Sequence, residues 1–348
     1  MIDRCDNPWR GQGLAIEGPW PCEDVAAVSR LLALCPAHAP TPLRDCPELA
    51  ARAGVARLHI KDERGRMGLG SFKALGAAHA IAQEAAAAVQ GDQWDKALTG
   101  RAYVTASAGN HGLSVAAGAR LFGARAVIYL ADTVPEAFAA RLEAKGAQVM
   151  REGATYEASM AAAESAARKL GWTLLSDSSW PGYTALPLLV MEGYLQLADE
   201  AADQIDAPPT HILLQAGVGG MAAAVAKLAR ARWGDAPQII VVEPAAAPAL
   251  IDSIRAGHLV DSTGPVSNMG RLDCKTASMI ALKGLSRDAD LFVTISDEQA
   301  AAGAAILADH GLATTPSGGA GLSALLAGLD LGHRARVLAI LSEGPEDV

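Results

Sequence analysis

The chain has 348 residues, of which 51% are hydrophobic, 4% aromatic and 19% charged, and its formal net charge is −9. Such a composition excludes intrinsic disorder, and a net-negative chain with few aromatic side chains is a poor partner for nucleic acid. No apolar run approaches the ~20 residues that span a bilayer, and the Met1–Trp9 segment lacks the apolar core of a signal peptide. A cytoplasmic protein without membrane contact is expected. The five cysteines (Cys5, Cys22, Cys35, Cys46 and Cys274) form no Cys-x-x-Cys pair, so reduced thiols are expected rather than a disulfide framework or a zinc site.

In chain order, strands are predicted at 56–60, 102–105, 126–130, 147–150, 212–215, 238–242, 291–295 and 337–341, each short and apolar or β-branched. Ala-rich helices are predicted between them, among them 113–122, 156–170, 221–232 and 297–312. This alternation predicts an α/β fold, a parallel sheet with helices on both faces. Ligands bind such sheets beyond the carboxyl ends of the strands. Four loops rich in Gly, Ser or Asn fall there, at 105–112, 216–220, 315–319 and 342–344. Their recurrence is expected if several loops converge on one small anionic ligand.

The loop Gly217-Val218-Gly219-Gly220-Met221-Ala222 leaves a strand and opens a helix. Consecutive backbone N–H groups there can face a phosphate, reinforced by the positive end of the helix dipole. The same residues fit G-x-G-x-x-G/A, with Glu243 ending the next strand about 20 residues on, so a nicotinamide-dependent dehydrogenase competes. Lys73 separates the two. It lies in Gly68-Leu69-Gly70-Ser71-Phe72-Lys73-Ala74-Leu75-Gly76, ahead of an Ala-rich helix. Desolvation by small and apolar neighbours lowers an amine's pKa and favours Schiff-base chemistry. Most lysines near helix starts are solvated charges; the phosphate cup and a Ser/Asn/His loop favour covalent chemistry here. In that loop the N–H groups and the Ser107 hydroxyl suit a substrate carboxylate, with Ser107, Ala108, Gly109 and His111 as candidate substrate-binding positions. The Asn110 amide suits a phenolic oxygen. Helix capping by Ser or Asn is the competing structural reading. No second His or Cys lies at ligand spacing from His111, so no metal is expected.

These motifs also occur in a telling order. Ser71-Phe72-Lys73, Ser107-Ala108-Gly109-Asn110-His111, Gly217-Val218-Gly219-Gly220, Val242-Glu243-Pro244 and Ser342-Glu343-Gly344 succeed one another as in fold-type II pyridoxal-phosphate enzymes. The chain resembles that group, which includes the tryptophan synthase β subunit and threonine dehydratases, over nearly its whole length. The resemblance implies two parallel-sheet domains with pyridoxal 5′-phosphate in the cleft: residues 1–95 and 185–348 as the large domain, 96–184 as a small inserted one. It further implies that Lys73 forms the Schiff base, Phe72 packs near the cofactor ring and Asn110 contacts the ring hydroxyl. The backbone of Gly217, Val218, Gly219, Gly220 and Met221 would cradle the phosphate, and Ser342 would meet the pyridine nitrogen.

A narrower similarity follows. Lys61-Asp62-Glu63, Phe72 to Gly76, Asp177-Ser178-Ser179-Trp180-Pro181-Gly182-Tyr183, Met191-Glu192-Gly193-Tyr194 and Met269-Gly270-Arg271-Leu272-Asp273-Cys274 look like the diaminopropionate ammonia-lyase family. In that family the Asp of Asp-x-x-Trp-x-Gly-Tyr is a catalytic base, and Asp177 holds its place; a strand-end turn residue is the plainer reading. The implied reaction is α,β-elimination from a β-substituted amino acid, 2,3-diaminopropionate first, giving pyruvate and ammonia in a homodimer. Asp177 or the released Lys73 takes the Cα proton. Ala108 stands where the family carries an Asp linked to handling the D-isomer, and Pro316 where it tends to carry Glu. Serine, threonine or 3-hydroxyaspartate dehydration is the alternative, and a non-catalytic cofactor-binding protein is a third reading. Cys274 reads as an inert buried thiol.

Overall fold

A computed structural model describes residues 2–345. The strands are β1 (Asp3–Asp6), β2 (Leu43–Asp45), β3 (Arg57–Asp62), β4 (Ala102–Ala106), β5 (Arg125–Leu130) and β6 (Gln148–Arg151). They continue as β7 (Thr173–Leu174), β8 (His211–Gln215), β9 (Gln238–Pro244), β10 (Leu291–Ile295) and β11 (Arg336–Leu341). Among the described residues they form a seven-stranded sheet, β1-β10-β9-β8-β11-β3-β2, and a four-stranded sheet, β6-β5-β4-β7. All pairings are parallel except those of β1 with β10 and β2 with β3, the two antiparallel edges of the larger sheet.

The eight predicted strands are all present. Except at the half-exposed edge β6, their apolar runs arise because parallel strands are covered on both faces, as the burial of Ile212 to Gln215 in β8 illustrates. The unpredicted β1, β2 and β7 are short, and β1 and β2 are largely exposed edges with no need for an apolar run.

Side chains alternate between the two faces of each sheet. Ile239 and Val241 of β9 share a core cluster with Ala126, Ile128 and Leu130 of β5. Ile240 and Val242 join a second cluster on the far face of the large sheet, and Val127 and Tyr129 a third on the far face of the small one. The first cluster therefore lies between the sheets. The helix Lys73–Ala88 packs there against the helices Asn110–Leu121 and Ala185–Gly193. Small residues permit the close approach: a Cβ on Gly118 would lie 3.3 Å from the Ala78 Cα.

Candidate active site

The loops after β3, β4, β7, β8 and β11 converge between the sheets. After β3 the chain crosses a 3-10 segment, Glu63–Gly68; Ser71 then bridges to Glu343, and the Phe72 amide donates to the Ser342 carbonyl at 3.0 Å. The end of β11 thus fixes the point where the Lys73 helix begins. Lys73 Nζ is ion-paired and hydrogen-bonded to Asp177. It lies 5.2 Å from the Phe72 ring centroid and 5.8 Å from that of Tyr194, and the two rings meet edge-on at 4.9 Å. The Tyr194 hydroxyl is buried and, among the described residues, meets no partner at hydrogen-bonding geometry.

Two glycines make room for this arrangement. A Cβ on Gly76 would fall 2.6 Å from the Tyr194 ring, and one on Gly193 would fall 2.2 Å from the Leu75 carbonyl oxygen. The motifs around Lys73 and Tyr194 interlock through the absence of side chains.

Burial alone would lower the Lys73 amine, but the Asp177 carboxylate outweighs it and holds the amine above its ordinary range. Burial likewise would raise Asp177, and the Lys73 charge, helped by His111, holds it well below the usual carboxylate range. The expectation of a lysine depressed by desolvation is therefore corrected. The local sequence supplies the desolvation, but a partner from β7's far end reverses the sign.

Asp177 itself sits in a pinned turn. The Tyr183 hydroxyl accepts from the Ser176 amide at 3.0 Å and donates to the Leu174 carbonyl at 2.8 Å, and its ring stacks on Trp180 at 4.3 Å. Ser179 Oγ lies 2.7 Å from Ser278 Oγ and accepts from the Ile280 amide at 2.9 Å, tying the turn to the helix Met279–Asp288.

In the loop after β4, Ser107 Oγ accepts from the amides of Gly109 (3.3 Å) and Gly112 (3.2 Å), so its oxygen orders the loop in the manner of a cap. His111 is buried with Nε2 at 2.8 Å from the Leu175 carbonyl; its Nδ1 has no partner among the described residues, and burial lowers its pKa. Ala108 packs half-buried against the core between the sheets. Asn110 Nδ2 donates to the Glu343 carboxylate, which also accepts from Thr315 Oγ1 and pairs with Arg271 Nε at 3.0 Å. Beside it, Ser342 is buried, with Oγ 3.5 Å from the Gly318 carbonyl.

The glycine loop is equally crowded. A Cβ on Gly217 would lie 3.0 Å from both Cys274 Sγ and the Leu272 Cα, and Gly219 has φ +96°, a conformation open to glycine. The helix Gly220–Trp233 starts there with Met221 buried in its first turn and with no side-chain cap. Its leading amides are left for an anion, which fits a phosphate. Val218 lies beside Cys274, whose thiol burial pushes up to about 12. Glu243, the acid needed by a nicotinamide site, is buried instead. Its carboxylate accepts from the amides of Leu250 (2.7 Å) and Ile251 (2.8 Å), and burial pushes its pKa to about 8. The dehydrogenase reading loses its ribose ligand.

The structure brings Lys73, Phe72 and Asp177 into one cluster, with Asn110, Ser342 and the Gly217 loop on its borders. Sequence patterns assign no role to Glu343, Arg271, Tyr194 or Tyr156. The first three lie inside recognised motifs but gain meaning only from distant partners. Tyr156, an exposed residue at the first turn of the helix Tyr156–Leu170, has its phenol pushed upward by desolvation and by the charge of Asp177. Among the described residues no group of three His, Cys, Asp or Glu side chains is placed to hold a metal, and no helix is long and apolar enough to cross a membrane.

A family model for pyridoxal-phosphate-dependent enzymes matches residues 34–343. The chain belongs to that family; it is a pyridoxal-phosphate-dependent enzyme of the lyase type, and the nicotinamide and non-catalytic readings are set aside. Within the family it is similar to the diaminopropionate ammonia-lyases. It is 33% identical to that of Escherichia coli K12 over 341 residues, 89% of this chain and 86% of the relative. It is also 33% identical to that of Salmonella typhimurium over 293 residues, 78% and 72% of the two chains. The crystal structure of the E. coli ammonia-lyase in complex with an aminoacrylate-PLP azomethine reaction intermediate superposes with a TM-score of 0.87. That match has 30% identity and covers 99% of this chain and 94% of the other.

Proposed function

We propose that the enzyme catalyses α,β-elimination from an amino acid with a leaving group on Cβ, 2,3-diaminopropionate first, releasing pyruvate and ammonia. The observation that carries this reading is the Lys73–Asp177 pair, one amine and one carboxylate, both half-buried, joined where the loops converge. Bound pyridoxal phosphate supplies an electron sink for charge developing at Cα.

Lys73 would hold the cofactor, with Phe72 packed near its ring and Tyr194 against Phe72. Asn110 would donate to the ring hydroxyl, Ser342 would offer a neutral hydroxyl to the ring nitrogen, and the amides of Gly217, Val218, Gly219, Gly220 and Met221 would bind the phosphate. The loop of Ser107, Ala108, Gly109 and His111 orients the substrate carboxylate. Asp177 or the freed Lys73 Nζ removes the proton at Cα. While Lys73 is charged, Asp177 is a weak proton carrier. Once that charge is gone, the largest influence lowering Asp177 is lost and burial pushes its carboxyl upward, so a proton it takes from Cα could pass to an amine leaving from Cβ.

Residues 96–184 form the small domain in this account, and the enzyme works as a cytoplasmic homodimer. Ala108 favours a second reading. With no acid at that position, a hydroxyl-bearing substrate such as serine, threonine or 3-hydroxyaspartate is the alternative.

The test is spectroscopic first. The purified enzyme should absorb near ~410 nm, and Lys73→Ala should lose both the band and at least ~10³-fold in elimination rate. A colourless protein that cannot be reconstituted with the cofactor contradicts the proposal. Measuring 2-oxo acid release from L- and D-diaminopropionate, serine, threonine and 3-hydroxyaspartate then assigns the substrate.

A further inference from the structure

A cavity of about 420 Å³ opens beside Asn110 and Glu343, next to the Lys73–Asp177 cluster and not over it. Its walls come from both sheets' halves of the molecule and carry four cations: Arg141 and Lys145 on one side, Arg64 and Arg271 on the other. Two of these are neutralised in place. Arg64 meets both Asp62 oxygens at 2.8 Å, and Arg271 Nε meets Glu343 at 3.0 Å. Arg141 and Lys145 differ. They stand one turn apart at the end of the helix Glu136–Ala144, both half-buried, and among the described residues neither side chain makes an ion pair or hydrogen bond. Residual positive charge lines this cavity in a chain of net charge −9. Solvent-facing cations at a helix end are ordinary; two unpaired ones forming the wall of a cavity that adjoins a catalytic cluster are not.

We infer that Arg141 and Lys145 form a subsite for an oxyanion, a carboxylate or phosphate, that enters beside the reacting centre. The anion would sit against this wall of the cavity, where no carboxylate already takes up the positive charge. The anion has two possible sources: a second acidic group on the amino-acid substrate, or a separate small anion. The first assignment rests on the elimination chemistry proposed above; the existence of the site does not.

The test uses the holoenzyme, so that the glycine cup is filled, and inorganic phosphate as the probe. Calorimetric titration is expected to show phosphate binding that weakens at least ~10-fold in the Arg141→Gln/Lys145→Gln double variant, whose cofactor band serves as the control for folding. Equal binding by both proteins, or none by either, overturns the inference whatever the activity. Where phosphate binds, steady-state rates identify the source. If the substrate carries the anion, kcat/KM for 3-hydroxyaspartate falls at least ~10-fold in the double variant, while that for serine changes less than ~3-fold. If a separate anion is the ligand, phosphate alters serine turnover by the native enzyme and not by the double variant.

Discussion

Lys61 and Lys73 flank the same 3-10 segment, and each is packed against a carboxylate, yet their surroundings are opposite in kind. Lys61 is fully buried and donates to three acceptors: the Thr41 carbonyl (2.6 Å), Glu200 (2.8 Å) and Gln204 (3.0 Å). Its neighbour Arg66, also fully buried, engages Glu63, Glu200, Thr41 and the Ala39 carbonyl. Every donor of that network is used. Lys73 has one carboxylate and two aromatic faces, and its side chain remains 21% exposed. An ammonium carries three donors, so burial and an ion pair alone do not mark a reactive lysine. Unfilled donor capacity in a reachable pocket does.

The largest effects should fall on the open pair. Asp177→Asn should keep the cofactor band and lower kcat by ~10²–10⁴-fold; an unchanged kcat in steady-state assays would remove Asp177 from the chemistry. At the closed network the expected loss is one of stability. Burial would raise Glu200, but Arg66 and Lys61 hold it at about 2 against an ordinary 4.5. Its contribution is therefore complete above about pH 4.5 and lost as pH falls through about 2. Glu200→Gln should cost about 3–5 kcal/mol at neutral pH and flatten that acid dependence, read by denaturant titration at several pH values. Specific activity per folded molecule should be retained; its loss would join the two lysines into one functional unit. Gly76→Ala should cost about 1–3 kcal/mol, because the new Cβ meets the Tyr194 ring. Thermal melts should register that loss together with weaker cofactor retention, and a variant that retains cofactor normally would show that Tyr194 does not help to fix Lys73.

The strands legible in the sequence are those buried on both faces, with the half-exposed edge β6 as the exception, and the sheet edges β1 and β2 escaped because exposure removes the apolar run. At the site, Lys73 and Asp177 each stand out within a motif. Their contact does not, since it depends on how the loops after β3 and β7 meet, and with it went the sign of the lysine's pKa. Glu343 shows the same limit. It lies in a readable Ser-Glu-Gly turn, while its partners Asn110, Thr315 and Arg271 come from three other segments. Glu243 errs in the other direction, since backbone amides take up the carboxylate oxygens that the motif had offered to a ligand.

Lys73, and not its buried neighbour Lys61, is expected to carry the cofactor. Borohydride reduction of the holoenzyme followed by peptide mapping with mass spectrometry tests it directly. The reduced cofactor adduct is expected on Lys73 alone, with Lys61 unmodified. An adduct on Lys61 or any other lysine, or a holoenzyme with no reducible linkage, would contradict it.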